Sequence, residues 1–215
     1  MAQAIICGTP QGKASCLVAL RLEECNTLVR GNFNPYVVTP EWLARQEIWQ
    51  AKEAEVVLGV LARGLRFRAD DVEWVVDTDR LLISSPVKDC GKLAAEVLSL
   101  LPHTPVLAVG NNFTFVGDPE EWGASPIPTL GAATPDDFPE DLRPTQVRWS
   151  SIIQHENVRI EIGVIFGSDS VAVRLNFHRQ TPDATVAAVA ATEFLSDKRT
   201  AETLLKRVVN QEVQK

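Results

Sequence analysis

Residues 117–147 place the first limit on what this chain can fold into. They hold six of its thirteen prolines and seven acids (Asp118, Glu120, Glu121, Asp136, Asp137, Glu140, Asp141), against one base, Arg143. Proline fixes φ and withholds a backbone donor, while clustered acids stay in water. The sequence therefore predicts an acidic, proline-rich linker or loop over 117–147, held to the body by Trp122 or Phe138. Regular structure has to come from the flanks: an N-terminal α+β half over 1–116 and a C-terminal hairpin-plus-helix half over 148–215. A chain of 215 residues buries about 70% of its unfolded surface, so one compact domain with a real core is expected.

Within the flanks, apolar residues recur with strand and helix periods. Cys16, Val18, Leu20 and Leu22 alternate through strand material over 14–33, which Asn34-Pro35 breaks. Thr39-Pro40-Glu41 reads as a helix start, with Thr as N-cap and Pro in the first turn. That helix is expected to run to about Lys52, with Trp42 and Trp49 on one face. A strand over 56–68, a turn at Ala69-Asp70-Asp71 and strands over 72–76 and 80–84 read as a meander. Beyond Pro86, an amphipathic helix over 91–101 presents Leu93, Val97, Leu100 and Leu101, and 106–116 returns as a strand.

Past the linker come strands over 147–153, 159–166 and 171–179, the last two joined by the turn residues Gly167-Ser168-Asp169-Ser170. A closing helix carries the stripe Ala201, Leu204, Leu205, Val208 and Val209. Strands and helices in mixed groups, without βαβ alternation, predict the α+β class with a mostly antiparallel sheet and packed helices.

One pattern recurs. Val29 to Phe33, Val109 to Phe113 and Val173 to Phe177 all read V-x-x-N-F, and the last two also share a preceding alanine, Ala108 and Ala172. One reading is two related half-repeats that present asparagines on a shared surface. The other is coincidence among common strand residues. If the halves are related, the strands ending at Phe113 and Phe177 belong to one sheet, with the same in/out pattern.

Leu100-Leu101-Pro102-His103-Thr104-Pro105, followed by Val109-Gly110-Asn111-Asn112-Phe113, resembles a stretch of bacterial α+β proteins of similar length that have no assigned activity. The likeness covers about residues 56–116. It implies a strand pair, a helix and a returning strand, and a bacterial origin; it implies no catalytic residue or cofactor.

The net charge of −7 is confined almost wholly to the acidic segment, and the remainder balances 20 bases against 21 acids. No broad attraction for nucleic acid or anionic lipid follows from that balance. Arg63, Arg66 and Arg68 are answered by Asp70, Asp71, Glu73, Asp77 and Asp79. Cys7, Cys16, Cys25 and Cys90 lack CxxC spacing, which disfavours a thiolate zinc site or a thioredoxin-type pair and suits reduced thiols in the cytosol. No apolar run approaches the length of a membrane span, so a cytoplasmic location without membrane contact is expected.

Site chemistry is sparse. Cys90, beside Asp89 and Lys92 at a helix start, is the best nucleophile by position, because helix-terminal N–H groups lower a thiol pKa. Its histidine partners are distant in sequence, and a small residue that simply fits is the plainer reading. His155 and His178, with Glu156 or Glu161, are weak metal candidates. Gly8 to Ser15 falls short of a phosphate loop in spacing and in the residue after Lys13. No catalytic residue, metal or cofactor is assigned.

The most suggestive segment joins Asn32, Phe33, Tyr36 and Trp42 across a strand-to-helix connection. Aromatics beside amides suit a contact surface, or else they lid the core. With Asn112 and Asn176 they form the candidate binding set. The expected function is a non-enzymatic protein-interaction or assembly protein of the bacterial cytosol, its partner another protein or a second copy. The alternative is a small-ligand binder, or an enzyme whose site is assembled from distant residues.

Overall fold

The computed structural model describes residues 20–49, 54–60, 64–118, 146–167 and 170–210. Residues 119–145 of the acidic stretch and the N-terminal strand material before Leu20 therefore lie outside the described residues, as do the anchors Trp122 and Phe138.

Among the described residues nine strands form one antiparallel sheet: β1 (Arg21–Gly31), β2 (Glu55–Val60), β3 (Gly64–Ala69), β4 (Val72–Asp77), β5 (Arg80–Ser84), β6 (Val106–Gly117), β7 (Gln146–His155), β8 (Val158–Gly167) and β9 (Val171–Gln180). Their order is β2-β3-β4-β5-β1-β6-β9-β8-β7. The chain is thus α+β, as its strand and helix grouping predicts. Four helices among the described residues accompany the sheet: α1 (Pro40–Arg45), α2 (Cys90–Leu100), α3 (Ala184–Thr192) and α4 (Phe194–Asn210).

Period-two alternation puts Cys25, Thr27 and Val29 of β1, Leu81 and Ile83 of β5, Val109 and Phe113 of β6, and Leu175 and Phe177 of β9 on one face, all buried. Helices α2, α3 and α4 pack on the central strands β5, β1, β6 and β9. Val109, Phe113, Val173 and Phe177 share that face, and β6 and β9 are direct neighbours.

Helix α2 starts at Cys90 because the Asp89 carboxylate accepts from the Lys92 N–H at 2.9 Å. Asp183 caps α3 in the same way on Val186, at 2.8 Å. The two helices meet at Gly91, where a Cβ would collide with the Ala191 carbonyl and with Phe194.

Four local expectations are corrected. Helix α1 ends at Arg45, not near Lys52: Glu47 turns left-handed (φ 58°), and the Ile48 and Trp49 N–H groups both return to the Leu43 carbonyl. Trp49 still turns inward, 5.9 Å from Trp74 and 6.0 Å from Phe67 between ring centres. The expected single strand over 56–68 is two, β2 and β3, paired as a hairpin. Helix α2 buries Ala94, Ala95, Val97 and Leu98 and leaves Leu100 exposed, because its contact stripe faces α3 as well as the sheet. Helix α3 is additional; its run of alanines and valines has no amphipathic period to mark it in the sequence.

Candidate functional site

The face of the sheet opposite the helices carries a cross-strand row. Register places Ser84, Asn26, Asn112, Asn176, Glu161 and Ile152 side by side on β5, β1, β6, β9, β8 and β7. Asn112 donates to the Asn26 side chain at 2.7 Å, and Asn26 donates to Glu24 at 3.0 Å. Asn176 lies directly opposite Asn112, with its Oδ1 buried and without a hydrogen-bond partner among the described residues. Two of the three asparagines in the recurring pattern therefore meet. Asn32 does not join them: it is exposed beyond the end of β1, its N–H bonded to the Pro105 carbonyl at 2.8 Å. Asn26 takes the third place, and no recurring pattern marks it.

The aromatic segment divides. Phe33 is buried and Trp42 is partly buried against the core, whereas Tyr36 is 79% exposed. Thr39 caps α1 by accepting from the Trp42 N–H at 3.2 Å, which fixes that ring over the core. Most of the aromatic surface in this segment is thus spent on packing.

On the helix face a polar network ties the centre together. Thr27 donates to Asn111, Asn111 donates to Asp197, and Arg179 grips Asp197 with two bonds of 2.7 Å. All four residues are buried, so the fork from Arg179 is a desolvated ion pair joining β1, β6, β9 and α4. Such a group of residues, spread over 171 positions of sequence from Thr27 to Asp197, leaves no linear signature.

Cys90 is where a helix-start nucleophile would sit, but its environment reverses the expectation. It is fully buried, and the hydrogen bond it shares with Cys25, together with burial, pushes its thiol up; the same bond lowers Cys25. Cys25 also donates to the Ser85 carbonyl at 2.7 Å. His155 and His178 fall on opposite faces of the sheet, since β7 residues of odd number and β9 residues of even number point to different sides. Among the described residues no group of three or more His, Cys, Asp or Glu side chains is placed to hold a metal ion. A shallow cleft of about 260 Å³ lies between Glu23, Glu24, Asp71 and Glu73, with Arg68 on Glu73 at 2.6 Å.

The sheet ends in β7. Its ten residues pair with β8 in unbroken register, and nothing among the described residues pairs with its outer side. Arg148 is its one Lys, Arg, Asp or Glu residue; Ile152 is 56% exposed and Ile153 38%. Trp149 packs partly against the core.

Compared with known proteins, the chain matches no family and no curated sequence. No helix among the described residues is long and apolar enough to cross a membrane.

Proposed function

We propose that the chain is a non-enzymatic protein-interaction or assembly protein of the bacterial cytosol, and that the second-half sheet is its contact surface. The observation that supports this reading is β7. Long, straight edge strands with exposed isoleucines recruit other strands, and proteins that avoid such pairing place Lys, Pro or bulges there. The strand carries none of these devices: it has no lysine, no proline and no register shift. Exposed apolar side chains beside unpaired backbone groups suit strand addition, in which main-chain bonds supply affinity and alternate side chains supply selectivity.

The reading extends to two related halves. Strands β1 and β6 lie side by side at the centre of the sheet. Each is followed by a meander that walks back to pair beside it, through β5 and β9, and each meander leads into an Asp-capped helix. This correspondence matches β6 with β1 rather than with β9.

The test is a photo-reactive amino acid at position 152, irradiated in living cells of the native host. Protein adducts that disappear when the same probe is moved to Val56 on β2 support the reading. Absence of any protein adduct at 152, with a small metabolite raising the melting temperature of the unmodified chain, would replace it with ligand binding at the acidic cleft.

A further inference from the structure

We infer that the occupant of the β7 edge is a second copy of this chain, paired β7 to β7 about a two-fold axis normal to the sheet. This rests on the interaction reading above and names its partner. The hairpin that closes β7 on β8 fixes which of its residues face outward. Glu156 and Asn157 form a two-residue loop between the paired residues His155 and Val158, with Glu156 at φ 51°. A loop of this kind closes on a hydrogen-bonded pair, and in an antiparallel ladder bonded and non-bonded pairs alternate. With register unbroken along the strand, odd-numbered residues bond to β8. Even-numbered residues, Gln146, Arg148, Ser150, Ile152 and Gln154, therefore turn their N–H and C=O groups outward.

Two copies related by a two-fold axis pair antiparallel, as every neighbouring pair in this sheet already does. A continuous sheet requires facing residues to share a side, which restricts the central register to two choices. One sets Ser150 against itself and places Arg148 opposite Ile152 of the partner subunit. The other sets Ser151 against itself, Trp149 opposite Ile153 of the partner subunit, and Arg148 opposite Gln154 of the partner subunit. We assign the second, because it makes the aromatic–β-branched pair twice and leaves the guanidinium opposite an amide. Neither register sets Arg148 opposite itself or opposite another basic residue of the partner subunit. About eight interchain backbone bonds would form in this register, along Arg148, Ser150, Ile152 and Gln154 of each copy; Gln146 pairs only in the other register.

The experiment measures mass by light scattering coupled to size exclusion, on the full chain at about 100 µM, well above a micromolar Kd. Twice the 23.6 kDa chain mass is expected. Ser150→Pro removes an outward N–H without touching the β8 ladder and should return the mass to that of one chain, with unchanged far-ultraviolet dichroism. Ile152→Lys, which leaves the backbone intact, should do the same. In a C7S/C16S background, Ser151→Cys should form an interchain disulfide under mild oxidation, and Val56→Cys should not. A single-chain mass for the unmodified protein overturns the inference, as does a dimer indifferent to both Ser150→Pro and Ile152→Lys. Adducts from position 152 to a different protein, with a single-chain mass, overturn the second copy while leaving the interaction reading standing.

Discussion

At one end of the sheet, β2 runs for six residues and shifts register between Val56 and Leu58; at the other, β7 runs for ten with no shift. Strand β2 begins at Glu55, which faces Arg68 across the hairpin, and Arg68 and Arg66 both bind Glu73 at 2.6 Å on the same face. Strand β7 offers one arginine and two exposed isoleucines. A short, bulged edge resists pairing, and a long, regular one invites it. The two ends of one sheet thus differ in length and regularity, and on the proposed reading only the second takes a partner.

The largest expected effect tests what holds the β7 side to the rest. Asp197→Ala leaves Arg179 buried without its partner and should cost about 3–5 kcal/mol in denaturant unfolding. Because Arg179 sits on β9, which carries β8 and β7, hydrogen exchange should rise on those strands before it rises on β2 and β3. Equal loosening at both ends would mean that the network pins the whole sheet rather than one side.

Next comes the backbone. Ser151→Pro interrupts the ladder to β8 and should cost about 3 kcal/mol, whereas Ser150→Pro should cost well under half of that. A larger loss from Ser150→Pro than from Ser151→Pro would show that the outward and inward residues have been exchanged. Smaller still, Ile152→Lys should change stability by no more than about 0.5 kcal/mol, since the side chain is mostly exposed, while it abolishes association. The matching Val56→Lys on β2, at a residue 55% exposed, should alter neither quantity. A loss of association from Val56→Lys would erase the distinction between the edges.

How much of this was legible in the sequence depends on how local the cause is. Strands β4, β5, β6 and β9 follow from alternation with turn residues between them, and Asp70-Asp71, both at positive φ, closes β3 on β4 as a turn pair should. The helical spacing of Trp42 and Trp49 carries the predicted α1 past its observed end, while the turn at Glu47 goes with packing of Trp49 on Phe67 and Trp74. No break in pattern separates β2 from β3, because apolar and basic residues run on through both.

Of the candidate site residues, Asn112 and Asn176 meet since their strands are neighbours, which the shared pattern suggested. Asn32 fell past a strand end that no composition signal marks. The pairing of Cys25 with Cys90 and the network around Asp197 join residues scores of positions apart, and tertiary folding alone brings them together. That β7 forms an edge is likewise a property of strand order, which pattern does not encode.

The most direct measurement is amide hydrogen exchange resolved by residue along β7, at concentrations above and below association. The account predicts that Ser150, Ile152 and Gln154 exchange slowly only in the associated protein, while Ser151 and Ile153 stay protected in both. Slow exchange at the even residues in the dissociated chain, or fast exchange at them in the associated one, would contradict it.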